Sequence, residues 1–464
     1  MTGPVRILFV DAIDPTSGLQ RSFRPLGLGY LGAAAKQRFG DDTVKMRLAF
    51  EDVAGAIREF APDIVAVTST SQNFDIARAH AVEAKQAGAT VLIGGYHISM
   101  MPECLSPEMD VGVLCEGEET FQELLATYLE HGHLKDPELL QRIPGIVFRT
   151  GETLLTTAPR APIEPLDRLP FPDRDLLGTQ DTVIMLTSRG CPYKCLYCAS
   201  TRFWRGIRLF SAEYIVREIR DLVERHHVRH IVFFDDLFIV SKERIRQLVP
   251  LIRAEKLHKR VSFNCLATAN LVDDEIAQLL RNMNVRRVGM GLESGSERIL
   301  KHLKGAHASV EKNMNAVRIL VRRGIETEGS FILGAPDETE QDMLETLNFI
   351  RKSPLDRFDV HLLTPYPGTP FWDYALKRGL VSRDMSWERL YRDFAHNPDQ
   401  ALFLCEKTSR ERAHEIFLEL RAERDARDRK LTAKANLKVA LTNPATIPRL
   451  IIRAVTRIAA KEHP

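Results

Sequence analysis

Along the first third of the chain, short apolar runs alternate with longer stretches of helical period. "VRILFV", "TVKMRLA", "DIVAVTST", "ATVLIGG" and "DVGVLCEG" are rich in Val and Ile and read as strands buried on both faces. Between them, "PLGLGYLGAAAKQRF" and "NFDIARAHAVEAKQAG" carry helical spacing, and the second closes on Gly88, a residue suited to a helix C-terminus. This alternation predicts a doubly wound parallel sheet over residues 1–140, whose ligands sit beyond the carboxyl ends of the strands. Those ends carry Asp11, Thr68 and Ser69, Gly94 and Gly95, and the run Glu116, Gly117, Glu118.

The pattern then breaks. "RAPIEPLDRLPFPDRDLL" holds Pro162, Pro165, Pro170 and Pro172, a density that blocks both helix and sheet interior, so a connector is expected over 141–178. From Thr182 the alternation resumes, with candidate strands "TVIMLTS", "VRHIVFFDD", "VSFNCLA", "RRVGMGLE", "IETEGSFILG" and "FDVHLLT". Helical segments separate most of them. Repeated strand–helix units over 179–372 predict a partial (β/α)6 barrel of TIM type, with its active site at the C-terminal strand ends. Cys191, Asp235, Asp236, Glu293, Gly334 and Pro365 each follow a strand and so converge on that end. Residues 373–464 read as a helical, increasingly basic region. Its last segment, "TIPRLIIRAVTRIAAK", is amphipathic, with Arg449, Arg453 and Arg457 spaced by four. It is expected to pack on its own protein, with a peripheral membrane contact as the alternative.

Composition changes this picture little. A chain of 464 residues with a formal net charge of +2 argues for no nucleic-acid partner. The apolar start ends at Asp11, too soon for a signal peptide, and no apolar run reaches eighteen residues. Seven cysteines, an odd number, do not suit a disulfide framework, so a reduced, cytoplasmic setting is expected.

The chemistry is concentrated in "LTSRGCPYKCLYCAS", where Cys191, Cys195 and Cys198 fall within eight residues and no fourth thiol is near. Structural zinc wants four closed ligands, and His226 and His227, the nearest completing candidates, lie in a predicted surface helix. Protein-held cubane clusters normally take four thiolates, so three would leave one iron open to a substrate or cofactor.

The C-x-x-x-C-x-x-C spacing after the first strand of a strand–helix series resembles the radical S-adenosylmethionine (radical SAM) superfamily, over about 182–370. The resemblance implies one [4Fe–4S] cluster on the three cysteines that cleaves S-adenosylmethionine reductively. It further implies Tyr197 near the adenine, Asp235 and Asp236 (in "FFDDLF") receiving the methionine amino group, and Glu293 and Ser294 (in "GLESGSERIL") near the methionyl or ribosyl end. A carboxylate capping the next helix is the alternative for Glu293. Thr268 stands where many relatives carry an arginine, a departure from the family pattern.

The front segment, with "PLGLGYLGAAA", "DIVAVTSTSQNF", "IGGYHISMMPE" and "CEGEETFQEL" in order, resembles the cobalamin (B12)-binding domain of one radical SAM branch. That implies a Rossmann-like sheet holding a corrinoid near Thr68, Ser69, Gly94, Gly95, Glu116 and Gly117. "DAIDPTSG" lacks the histidine that ligates cobalt in mutase-type domains. The expected activity is cobalamin-dependent methylation of an unactivated centre in a small-molecule, lipid or natural-product substrate, fed by a flavodoxin- or ferredoxin-type electron donor. Cyclisation or oxidative rearrangement, with or without cobalamin in the B12-type domain, and a non-enzymatic iron–sulfur or corrinoid-binding protein, are the alternatives.

Overall fold

The computed structural model describes residues 3–178 and 180–442. The amphipathic segment 446–461 lies outside the described residues. Five parallel strands, β1 (Val5–Asp11), β2 (Val44–Ala49), β3 (Ile64–Thr68), β4 (Thr90–Gly94) and β5 (Val111–Val113), run in the order β2-β1-β3-β4-β5. Their period-two alternation feeds two cores. Ile7 and Phe9 pack with Leu28, Phe121 and Leu124 on one side, while Leu8 and Val10 pack with Ile57, Phe74 and Ala77 on the other. The predicted doubly wound sheet is present.

The sheet extends further than the sequence pattern indicated. Strands β6 (Ile146–Thr150) and β7 (Thr153–Thr156), expected to lie in the connector, form an antiparallel hairpin added to the β5 edge. Strand β5 is only three residues long, and pairing covers the open edge it would otherwise leave.

In the second half, β8 (Thr182–Met185) is followed by a short antiparallel ribbon, β9 (Ser188–Arg189) with β10 (Arg208–Leu209). Strands β11 (His230–Phe233), β12 (Ser262–Ala267), β13 (Val285–Glu293), β14 (Glu326–Leu333) and β15 (Arg357–Leu362) complete an all-parallel sheet in the order β15-β14-β13-β12-β11-β8. This is the expected partial barrel of six strands. Ser211, Ser241, Asp273, Ser309 and Thr339 each accept a backbone N–H from three residues on, which starts the intervening helices at defined points.

The C-terminal region closes the molecule. The helix Arg410–Thr442 lies along the β15 edge, burying Ile416, Phe417 and Leu420, and Arg427 donates to the carbonyls of Leu355 (2.7 Å) and Ile350 (2.5 Å). Trp387, from the preceding segment, packs on Trp372 and on His97 of the front domain. No helix among the described residues is long and apolar enough to cross a membrane.

Buried ion pairs join the two sheets at their carboxyl ends. Arg189, on β9, donates to Glu116 (2.5 Å) and to Glu118, and Arg208, on β10, donates to Glu116 (2.8 Å) and to the Ile163 carbonyl (2.7 Å). Arg189 is 3% exposed, and the neighbouring carboxylates hold it firmly protonated against the pull of burial. Removing one partner of such a pair strands a charge in a medium that cannot solvate it. Arg189→Ala is therefore expected to lower the unfolding free energy by about 3–5 kcal/mol in denaturant melts. Arg168→Ala, at an exposed side chain paired with half-buried Glu119, should cost less than about 1 kcal/mol.

Candidate functional site

The loop that leaves β9 carries the three clustered thiols. Gly190, at φ +87°, precedes Cys191, and a Cβ there would stand 2.0 Å from the Gly206 carbonyl oxygen, so only glycine lets the loop start beside the ribbon. Leu196 N–H donates to Leu303 O (2.9 Å), tying the loop to the helix Glu297–Lys304. Cys191, Cys195 and Cys198 all border one cavity of about 590 Å³ at the barrel's carboxyl end. Among the described residues, no three His, Cys, Asp or Glu side chains converge on a point as a single metal ion requires. The thiols edge a shared space instead. Neither His226, which lies against Asp221, nor His227 borders it.

Burial pushes the thiols up, Cys191 to about 11, with Asp236 and the neighbouring thiols adding to the effect. Cys195 and Cys198 shift the same way for the same first reason. One buried thiol, Cys195, and two half-buried ones, all resisting ionisation alone, are suited to a cationic iron centre, whose charge stabilises thiolates.

Glu293 reaches the cavity through a backbone irregularity. The β13–β14 register slips between Gly291 and Glu293, and Glu293 takes a left-handed φ of +60°. Such a conformation is costly in a residue with a Cβ and persists where the surroundings impose it. Its carboxylate accepts the Tyr197 hydroxyl (2.6 Å) and lies 3.7 Å from Lys304 Nζ. A Cβ on Gly291 would stand 2.1 Å from Glu293 Oε1, so that glycine makes the space the carboxylate occupies. Tyr197 thus contributes a hydrogen bond as well as a ring. Lys304 was not anticipated from sequence, where it is one lysine among several on a charged helix.

The remaining barrel residues divide. Asp236 borders the cavity and accepts the Ser200 hydroxyl on both oxygens (2.6 and 2.7 Å). Asp235, expected beside it, is fully buried and does not border the cavity. It accepts the Thr187 and Ser188 N–H groups (2.6 and 2.7 Å) and the Thr187 hydroxyl (2.6 Å), with Arg244 held on Thr187. The expectation for Asp235 is therefore corrected: it pins the turn after β8. Ser294 is likewise fully buried, bonded to Thr346 (3.2 Å) and to Ser296 N–H (3.1 Å), and organises the turn after β13 rather than facing the cavity. Both pairs stand at or just past a strand's end, and in each the turn sends one group to the cavity and its neighbour to the interior. Thr268 borders the cavity, and through Asn270 it connects to Tyr193 of the cysteine loop (2.8 Å each).

A second cavity, of about 650 Å³, lies over the carboxyl ends of the front sheet. Thr68, Ser69, Gly94, Gly95, Glu116 and Gly117 all border it. Gly95 has φ +98°, and a Cβ there would meet Ser69 O at 2.7 Å, whereas one on Gly94 would meet nothing closer than 4.0 Å. Ser69 Oγ is buried without a hydrogen-bond partner, a group left for a ligand. Glycines allowing close approach, an unpaired hydroxyl and a broad apolar wall suit a flat, amide-fringed macrocycle such as a corrinoid. Glu116 is largely committed to Arg189 and Arg208, a use its sequence position did not disclose. His97 is fully buried between Phe74 and Trp387 with Nδ1 on Ser71 Oγ (3.1 Å), and it does not border this cavity. Leu186, Ser188, Arg189 and Asp236 of the barrel border the same space, so the two strand-end mouths face each other.

Comparison with known proteins agrees with this architecture. Residues 185–350 match the model of the radical SAM superfamily, and residues 19–125 match that of the B12 binding domain. An uncharacterized methyltransferase of Pyrococcus horikoshii is 31% identical over 384 residues, 79% of this chain and 81% of that protein. The anaerobic magnesium-protoporphyrin IX monomethyl ester cyclase of Cereibacter sphaeroides is 26% identical over 391 residues, 79% of this chain but 63% of the cyclase. The radical S-adenosylmethionine methyltransferase TsrM of Kitasatospora setae, solved with cobalamin and a [4Fe–4S] cluster, superposes with a TM-score of 0.67 at 19% identity, covering 85% of this chain and 82% of TsrM.

Asp11 gives the front cavity a pH signature. Burial raises its carboxyl from 3.8 to about 7, against a nearby Arg24 that lowers it. A carboxyl raised on folding binds more protons folded than unfolded, so stability falls as pH rises from about 4 to about 7. In ligand-free protein this fall should be smaller in Asp11→Asn, read from denaturant midpoints across that range. Gly291→Ala should displace Glu293 and lower stability by about 1–3 kcal/mol in the same melts.

Proposed function

Because the chain belongs to the radical SAM superfamily, in the branch that carries a B12-binding domain before the barrel, we propose that it methylates an unactivated centre of a small-molecule substrate. One observation carries the reading: the cysteine-bordered cavity and the front-sheet cavity open toward each other, with Asp236 on both walls. When bound, the cluster and S-adenosylmethionine supply a carbon radical able to abstract hydrogen from an unactivated bond, and cobalamin supplies the methyl group.

The chain's residues position these groups. Cys191, Cys195 and Cys198 hold the cluster. Glu293, fixed by Tyr197 and Lys304, and Asp236, fixed by Ser200, present carboxylates that orient S-adenosylmethionine through its hydroxyl and amino donors. Gly94 and Gly95 let a corrinoid approach the backbone, and Ser69 Oγ is free to bond its amide fringe. The Arg189 ion pairs keep the two mouths in register. The reductant is an external flavodoxin- or ferredoxin-type donor in the cytoplasm. Cyclisation is the second reading, favoured by the 26% identity to the porphyrin-ring cyclase.

Anaerobic reconstitution with iron, sulfide, S-adenosylmethionine, reductant and cobalamin is expected to yield protein-bound corrinoid and 5′-deoxyadenosine. Mass analysis should show a substrate that has gained one CH₂. Loss of hydrogen without that gain would favour cyclisation instead. Alanine at Cys191, Cys195 or Cys198 should abolish bound iron or the formation of 5′-deoxyadenosine. Full iron content and cleavage in all three single variants would overturn the cluster assignment. Turnover by a protein that retains no corrinoid would remove the cobalamin step.

A further inference from the structure

The boundary between the two cavities narrows the class of substrate. Phe23 and Asp236 border both. Phe23 leaves the short helix Gly18–Ser22 in extended backbone, and its ring lies 6.1 Å from that of Phe234, tilted by 37°. Phe234, the residue after β11, still donates its N–H to Met185 O (2.8 Å) and so continues the strand's alternation. Its neighbour Phe233 is fully buried and stacked on Phe238 and Phe263, which turns Phe234 to the cavity. Phe234 is 52% exposed, and Leu266, bordering the barrel cavity, is 42% exposed. Phe234 borders the front-sheet cavity and Leu266 the barrel cavity, so large apolar side chains flank the boundary on either side.

Whatever passes between ligands in the two cavities crosses this boundary. An aromatic pair with half-exposed faces is complementary to a hydrocarbon and offers nothing to a phosphate or a sugar hydroxyl. The one charged group that borders both cavities, Asp236, is a carboxylate, which repels a phosphate and is assigned above to S-adenosylmethionine. Resting on the function proposed above, we infer that the reacting part of the substrate is a hydrocarbon face, aliphatic or aromatic, held against the Phe23–Phe234 pair. Its polar groups lie away from that boundary.

The test uses the full chain reconstituted with cluster and cobalamin and saturated with S-adenosylmethionine without reductant, so that the sites assigned to these groups are filled. N-phenyl-1-naphthylamine, a neutral apolar probe, is measured by anaerobic equilibrium dialysis. One saturable site is expected, weakened about tenfold or more by Phe234→Asp and retained by Phe234→Leu. Leu418→Asp, an exposed apolar position on the C-terminal helix, should leave binding unchanged. If circular dichroism shows that Phe234→Asp does not fold, Phe23→Ser carries the same expectation. No saturable site in the parent protein, or equal binding by the parent and the folded boundary variant, overturns the inference. Formation of 5′-deoxyadenosine by the parent protein reports separately on the proposed function. Cleavage without a probe site removes only the hydrocarbon class, whereas a probe site without cleavage removes the radical reading and leaves an apolar site of other purpose.

Discussion

Arg189 is the constraint on which the site's geometry depends. It lies two residues before Cys191 on the short ribbon that follows the first barrel strand, and its guanidinium is buried against two carboxylates from the end of β5. The cysteine loop of one domain is thereby anchored to the strand-end loop of the other through charges that cannot be solvated if they part. Two independent sheets, each placing ligands at its carboxyl end, become one site because this pairing sets those ends opposite each other.

Around that anchor, most polar residues near the strand ends serve positioning rather than contact. Asp235 collects donors from Thr187 and Ser188, and Ser294 knits the turn after β13. Glu293 shows the reverse: a left-handed backbone and a side-chain-free neighbour, Gly291, aim its carboxylate into the cavity. Strain at Glu293 is offset by two tertiary partners, Tyr197 and Lys304, that hold it there.

Much of this is legible in the sequence. Strand-forming runs of Val and Ile separated by helical period imply both parallel sheets, and the cysteine spacing after the first barrel strand implies three thiols on one loop at the strand-end cavity. The hairpin β6–β7 was hidden in a proline-rich neighbourhood whose turn signal, Gly151, was outweighed by the prolines that follow. Lys304, Arg189 and Arg208 are not legible because a lysine or arginine usually faces water, and only a partner distant in sequence reveals otherwise.

The sequence by itself determined the local and periodic features: which segments are strands, where helices start, and which chemistry the cysteine spacing serves. These depend on residues within a few positions of one another. Tertiary structure alone decided which of two adjacent acids faces the cavity, that Glu116 joins domains while bordering a ligand space, and that the two mouths meet. Those outcomes depend on strand register and on ion pairs spanning more than seventy positions, for which no local pattern carries a signal.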